Sequence, residues 1–334
     1  AVALHGAESG SAVVLDVHSG EVLAMVNQPA FNPNNRGEYS GKSYRNRALT
    51  DVFEPGSTIK PFTVAAALEA GVTRASEVID TSPGFMRVGK SLVRDVRDFG
   101  KVDLATLLKK SSNVAAAKLA MRMDPNNFCG LLARVGFGQG SGAGFPGEAS
   151  GQLEFRDRWY DIERATLSFG YGINVTTLQL ARAYSVLASG GLLRPVSLTK
   201  LDKQPDQERV LSQKTAAMVS KMLTGVLDDD GTASMARVSN YRVAGKTGTT
   251  KKPIPGGYAE DRYMSMFAGF APVSDPRLVM VVVIDDPSKG EFYGGKVAGP
   301  VFSSVMAGAL RILNVTPDDL PAKQAKVDKR RKSV

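Results

Sequence analysis

The 334-residue chain contains one cysteine, Cys129, and two histidines, His5 and His18. A single thiol excludes an internal disulfide, and no Cys/His cluster stands at zinc-ligand spacing. The histidine shortage argues against a Ser-His-Asp triad, because His5 lies in the N-terminal stretch and His18 in a predicted turn, Val17-His18-Ser19-Gly20. A nucleophile in this chain needs an activator other than histidine. Cys129 reads as a small core residue, and cysteine scarcity leaves the redox compartment open. The longest uninterrupted apolar run, Leu278 to Ile284, has seven residues, whereas a membrane-spanning helix needs about 20. Ala1 to Gly6 show no initiator methionine, basic n-region or apolar h-region, so any export signal or anchor is expected to have been removed or to lie outside this sequence.

Composition is that of an ordinary folded protein, 43% hydrophobic and 22% charged, with a formal net charge of +9. The charge resembles a nucleic-acid signature until it is located. Residues 321–334 hold six of the cations against one acid, Asp328, a local +5 that leaves +4 for everything before them. The excess is terminal and carries no interleaved aromatics, which excludes a nucleic-acid partner and reads as a disordered basic tail.

Residues Ala12 to Leu15 and Val22 to Val26, apolar and β-branched around a turn, predict a hairpin. A Pro/Asn/Gly-rich stretch follows, then a helix starting near Ser57 with Pro61 in its first turn. From about 103 to 240 the periodicity is predominantly helical, broken by glycine-rich loops, and reads as a helical subdomain. Arg242–Thr249, Met264–Pro272 and Arg277–Ile284 predict three more strands, and Pro300–Leu313 a closing helix. Strands at both ends with helices between them predict an α+β fold, one sheet assembled from both termini.

Three short segments carry candidate chemistry. Ser57-Thr58-Ile59-Lys60 puts a hydroxyl and an amine three residues apart on one helix face, and a lysine acts as base only when burial or a nearby cation lowers its pKa. Alone, S-x-x-K is common and a helix-initiating serine is ordinarily an N-cap. Ser111-Ser112-Asn113 offers a hydroxyl and a carboxamide at a break between helices, or simply a cap for the helix near Val114. Lys246-Thr247-Gly248-Thr249 ends a predicted strand with a cation, two hydroxyls and a glycine that lets a ligand lie against the backbone.

Together, in this order, S-x-x-K, S-x-N and K-T-G resemble the penicillin-recognising serine enzymes. Arg45-Asn46-Arg47-Ala48, Phe53-Glu54-Pro55-Gly56-Ser57, Gly170-Tyr171-Gly172-Ile173-Asn174-Val175-Thr176 and Phe267-Ala268-Gly269-Phe270-Ala271-Pro272 extend the likeness to the class B penicillin-binding transpeptidases, above all the cell-division type. The resemblance implies a transpeptidase domain over residues 1–320. Its fold would be an antiparallel sheet of about five strands flanked by helices. No metal and no cofactor are implied.

On that resemblance, Ser57 is the nucleophile towards D-Ala-D-Ala stem peptides or β-lactams, and Lys60 is the base. Lys246 holds down the pKa of Lys60, and Ser111 relays the proton to the leaving amine. Asn113 binds the donor's amide side, while Lys246, Thr247, Gly248 and Thr249 form the strand that holds its carboxylate. The N–H groups of Ser57 and Thr249 form the oxyanion hole. Tyr171, Phe292 and Tyr293 are candidates for an aromatic wall. The implied location is the periplasmic face of the cell membrane, with a septal glycan polymerase and divisome proteins as partners. Glu163-Arg164-Ala165-Thr166-Leu167 lacks the Asn of the segment that activates water in class A β-lactamases, which favours a slowly deacylating enzyme. The alternatives are a D,D-carboxypeptidase, which motifs alone do not separate from a transpeptidase, and a β-lactamase or β-lactam sensor of the same fold, the sensor being disfavoured by the division-type residues 45–57.

Overall fold

In the computed structural model, which describes residues 1–35, 37, 41 and 43–320, one antiparallel sheet is built from both ends of the chain. β1 (Ser9–Asp16) and β2 (Val22–Gln28) form the predicted hairpin. β3 (Ala244–Ile254), β4 (Gly257–Ala271) and β5 (Leu278–Asp285) complete the sheet in the order β2-β1-β5-β4-β3. β5 is the apolar run singled out above. It is central, paired on both edges, with Val13 opposite Val281 on one side and Ala268 opposite Val281 on the other, and a strand covered on both faces needs no polar alternation. β3 is an edge strand, so one row of its backbone groups is free for a ligand or another segment.

β3 and β4 run past their predicted ends as a longer hairpin whose register shifts between Tyr258 and Tyr263. Small ladders pair Val78–Asp80 with Lys101–Asp103 and Phe85–Val88 with Ser91–Arg94. Strands of three or four residues carry too little alternation to be read from sequence.

The helices of seven residues or more are α1 (Lys60–Glu69), α2 (Leu104–Lys110), α3 (Asn113–Ala120), α4 (Pro125–Arg134), α5 (Asp161–Leu167), α6 (Thr177–Ala188), α7 (Gln213–Thr224) and α8 (Gly299–Ile312). α6 packs on β1, β4 and β5, and α8 packs on β4 and β5, where Phe302 meets Phe267 edge to face at 4.7 Å. α1 is buried from Lys60 to Ala67 and touches α3, α4 and α7, as expected of a helix apolar on every side. Cys129 sits fully buried in α4, its thiol pushed up to about 11 by desolvation. The basic tail lies outside the described residues.

Candidate active site

Ser57 occupies a single 3-10 turn, Gly56–Ile59, that runs directly into α1. Residues three apart on a continuous helical run lie on one side, so Ser57 in the turn and Lys60 at the first position of α1 share a side. The turn is pinned from several directions. Phe53 exchanges backbone hydrogen bonds with Val175, Gly56 N–H donates to Gly170 O at 3.1 Å, and the buried Tyr184 hydroxyl donates to Thr58 O at 2.9 Å. Gly56 has φ of +52°, and a Cβ on Gly170 would lie 2.2 Å from Gly56 O. Only glycine at both positions lets these two backbones touch.

Lys60 and Lys246 are both 0% exposed. Lys60 Nζ donates to Ser111 O at 2.6 Å, Ser111 Oγ at 3.1 Å and Asn113 Oδ1 at 2.8 Å, while Lys246 Nζ lies 3.0 Å from Ser111 Oγ. One hydroxyl therefore stands between two buried amines. Desolvation, reinforced by the Lys246 charge and opposed by Asp95, holds Lys60 well below the usual lysine range. Desolvation brings Lys246 down to about 7. Both amines thus come within reach of their neutral, proton-accepting forms.

The Ser111-Ser112-Asn113 segment divides its labour. Ser112 is the N-cap of α3, its Oγ accepting from Ala115 N–H at 3.0 Å. Ser111 ends α2 in the left-handed region, φ +61°, and points its hydroxyl at the lysines. Asp95, at the end of the second small ladder, organises the break by accepting from Ser112 Oγ at 2.6 Å and from the N–H groups of Asn113 and Val114. Asn113 Nδ2 donates to Arg94 O at 2.9 Å, which leaves its second hydrogen free for a ligand. Lys109 and Lys110 clamp Asp228 and Asp230 at 2.6–2.9 Å and hold the Asp230 carboxyl down to about 2. That clamp fixes the loop carrying Thr232.

On β3, Thr247 and Thr249 share one face. Thr247 Oγ1 donates to Thr232 Oγ1 at 3.0 Å, and Thr249 Oγ1 accepts from Gly294 N–H at 2.9 Å while keeping its own hydrogen to give. Gly248 departs from its sequence reading. A Cβ there would meet Met266 Cγ at 2.5 Å and Thr58 Cγ2 at 3.0 Å, so its bareness serves the packing of the nucleophile turn on the sheet.

The three aromatic candidates separate into two groups. Tyr171 stacks edge to face with Tyr258 at 5.5 Å and with Phe169 at 5.9 Å, beside the nucleophile turn. Phe292 stacks on Tyr263 at 4.2 Å and touches Tyr293 at 4.5 Å, next to Gly294 and hence to Thr249. Tyr293 is 54% exposed. Glu163 is committed elsewhere: one oxygen accepts from Tyr160 N–H at 2.9 Å and the other from Arg156 at 2.7 Å.

Asp95, Thr232, Tyr258 and Tyr263 were not read from the sequence, and Glu54 was noticed only as part of a motif. Among the described residues no cluster of metal-binding side chains occurs, and no helix is long and apolar enough to cross a membrane.

The family described as "Penicillin binding protein transpeptidase domain" matches residues 10–307. The chain is 46% identical over 320 residues to the peptidoglycan D,D-transpeptidase FtsI of Escherichia coli strain K12, covering 96% of this chain and 54% of that protein. It is 42% identical over 317 residues to the probable peptidoglycan D,D-transpeptidase PenA of Neisseria gonorrhoeae, covering 95% and 54%. It spans about half the length of these relatives. The apo transpeptidase domain of penicillin-binding protein 3 from Burkholderia pseudomallei superposes with a TM-score of 0.87 at 41% identity, over 96% of this chain and 92% of that one. With a family match over most of its length and the three motif segments converging on one pair of buried lysines, the chain belongs to the penicillin-binding protein transpeptidase family.

Proposed function

We propose that this domain is an FtsI-type D,D-transpeptidase that crosslinks peptidoglycan stem peptides through a Ser57 acyl-enzyme and is the target of β-lactams. The observation that carries the reading is the single Ser111 hydroxyl, 3.1 Å from one buried lysine amine and 3.0 Å from another, with Ser57 three residues before the first of them on the turn that leads into its helix. Such an arrangement can take a proton from one oxygen and deliver it to a departing nitrogen without histidine.

In acylation, neutral Lys60 Nζ accepts the Ser57 hydroxyl proton as Oγ bonds to the carbonyl carbon of the penultimate D-Ala. The resulting oxyanion faces the N–H groups of Ser57 and Thr249, each donor supplying about 3 kcal/mol of transition-state stabilisation. Collapse breaks the peptide bond, and the terminal D-Ala leaves as an amine that takes a proton from Ser111 Oγ, which Lys60 or Lys246 replaces. Asn113 Nδ2 holds the donor's amide side. Thr247 and Thr249, with Lys246 behind them, hold its carboxylate. In the second half-reaction an acceptor amine attacks the ester, its proton returning to Ser57 Oγ through Lys60, and a new amide forms. Glu163, with both oxygens engaged, supports slow hydrolysis of the acyl-enzyme. The setting we propose is septal wall synthesis at the periplasmic face of the cell membrane, with a septal glycan polymerase and other division proteins as partners of the whole protein.

The test is intact mass and peptide mapping after incubation with a penicillin, followed by a D-Ala-D-Ala-like thioester offered with an amine acceptor. A one-to-one adduct on Ser57 lasting many minutes, and transfer to the amine, are expected. An adduct on Ser111 or Ser112 refutes the assignment of the nucleophile. Hydrolysis without transfer makes the domain a carboxypeptidase, and many nitrocefin turnovers per second make it a β-lactamase.

A further inference from the structure

Glu54, three residues before Ser57, is 8% exposed and joins three separate parts of the site. Its Oε1 accepts from Gly172 N–H at 3.0 Å and from the Tyr258 hydroxyl at 3.0 Å, and its backbone oxygen accepts from Thr250 Oγ1 at 3.3 Å. Gly172 belongs to the loop whose Gly170 lies against Gly56. Tyr258 opens β4 just after the β3–β4 turn, where the register of the ladder shifts. On its far side the hairpin is tied by Lys252 and Arg262 to Glu8, Asp285 and Asp286. On the side of the nucleophile turn the Tyr258 phenol and its edge-to-face contact with Tyr171 hold it.

The second oxygen, Oε2, is buried with no hydrogen-bond partner. Glu54 also lines a cavity of about 200 Å³ behind the turn, together with Arg47, Thr177, Thr250 and Asp285. Burial raises the carboxyl pKa against the pull of its two donors. Neither donor bond requires the charge, since Oε1 accepts from both in either protonation state.

We propose that Glu54 is a positioning residue: its Oε1 fixes the Tyr258–Tyr171 wall and the Gly170–Gly172 loop against the nucleophile turn, so that the wall which receives the donor's side chain and the serine that attacks it are held in one register. The inference rests on the transpeptidase reading, in which acylation is preceded by binding of a donor or β-lactam beside Ser57. Tyr258 governs binding alone, because its ring forms the wall with Tyr171 and its hydroxyl reaches the Glu54 carboxylate rather than the loop that packs on Gly56. Glu54 governs both binding and the acylation step, because it also holds the loop that packs on Gly56.

The experiment is stopped-flow acylation of the chain by a fluorescent penicillin and by 6-aminopenicillanic acid, which lacks the acyl side chain. Each gives a binding constant and an acylation rate constant, measured for the parent and for Tyr258→Phe, Glu54→Gln and Glu54→Ala. Losing the phenol in Tyr258→Phe should weaken binding of the side-chain-bearing penicillin by about fivefold to tenfold, leaving its acylation rate constant and the behaviour of 6-aminopenicillanic acid within about twofold. Glu54→Gln keeps a carbonyl acceptor and should remain within about threefold of the parent in both constants. Glu54→Ala should lose about tenfold in each. The proposal is overturned if Tyr258→Phe binds both ligands like the parent, or if Glu54→Gln is as impaired as Glu54→Ala. If Glu54→Ala does not fold, Tyr258→Phe still decides, and a loss of about tenfold in both constants for Glu54→Gln overturns the proposal. A parent chain that is not acylated at all refutes the transpeptidase reading instead, and is recognised before any variant is made.

Discussion

Ser111 ends α2 with φ of +61°, a conformation that costs a residue bearing a Cβ about 1–2 kcal/mol and costs glycine almost nothing. A helix ending this way ordinarily uses glycine. The strain is retained because only a side chain with a hydroxyl can stand between Lys60 and Lys246. Comparing Ser111→Gly with Ser111→Ala separates the two effects, since both lose Oγ and only alanine keeps the strain. Glycine's extra freedom in the unfolded chain returns about 0.4–1 kcal/mol of the gain. Ser111→Gly should therefore be more stable than Ser111→Ala by about 0.5–1 kcal/mol. Urea unfolding at constant m-value measures that difference. Both variants should acylate equally slowly, about 10²–10⁴-fold below the parent, the range expected for loss of a proton-transfer group. The reasoning is refuted if Ser111→Ala is the more stable of the pair, or if either variant acylates at the parental rate.

Three further outcomes follow from the same geometry. Asp95→Asn turns three charge-assisted hydrogen bonds at the start of α3 into neutral ones, at about 1 kcal/mol each; calorimetry should show a fall in Tm of about 4 °C for a chain of this size. Loss of the Asp95 charge also removes an attraction that raises the Lys60 pKa, so the acid limb of the acylation profile should move to lower pH. Lys60→Arg keeps a cation but cannot shed its proton, the guanidinium pKa staying above about 12; fluorescent-penicillin labelling should collapse, and near-parental labelling would make Lys60 a structural cation. Finally, native Lys246 titrates at about 7 against an ordinary value of 10.5, so between those values the unfolded chain binds a proton the native chain does not. Its contribution to stability then rises with pH, by at most about 1.4 kcal/mol per unit. Going from pH 7 to pH 9, the urea midpoint should rise more, or fall less, in the parent than in Lys246→Met.

The parts of the fold and site that were legible in the sequence are those written in contiguous residues. β5 declared itself through seven apolar residues, α1 through its periodicity, and the three motifs through residue types at fixed short spacing. Asp95 was invisible for a physical reason. It acts on Ser112, Asn113 and Val114 from 17 to 19 positions away, at the end of a four-residue strand too short to announce its pairing. Glu54 was in view but mute, because its partners Gly172 and Tyr258 lie 118 and 204 residues further along the chain. Gly248 was legible as a requirement and misread in its cause: a missing side chain marks a close approach, and only the fold reveals that Met266 and Thr58 make it.

A hydroxyl, and no other group at position 111, suits the two lysines it separates. A charged ammonium is a donor only, so with both lysines protonated Ser111 Oγ accepts from both and its own hydrogen points to the cleft. When Lys60 gives up its proton, its nitrogen has a lone pair, and the same hydroxyl can turn to donate to it. A carbonyl in that place would accept in every state and could pass nothing on. The backbone oxygen of Ser111 does play that fixed part, 2.6 Å from Lys60 Nζ, and with Asn113 Oδ1 at 2.8 Å it keeps the amine oriented through the cycle. The strained end of α2 thus presents a fixed acceptor and a reversible one to the same nitrogen. Three elements distant in sequence, the start of α1, the α2–α3 break and β3, must dock before either lysine is buried enough to act, so the chemistry appears only once the fold is complete.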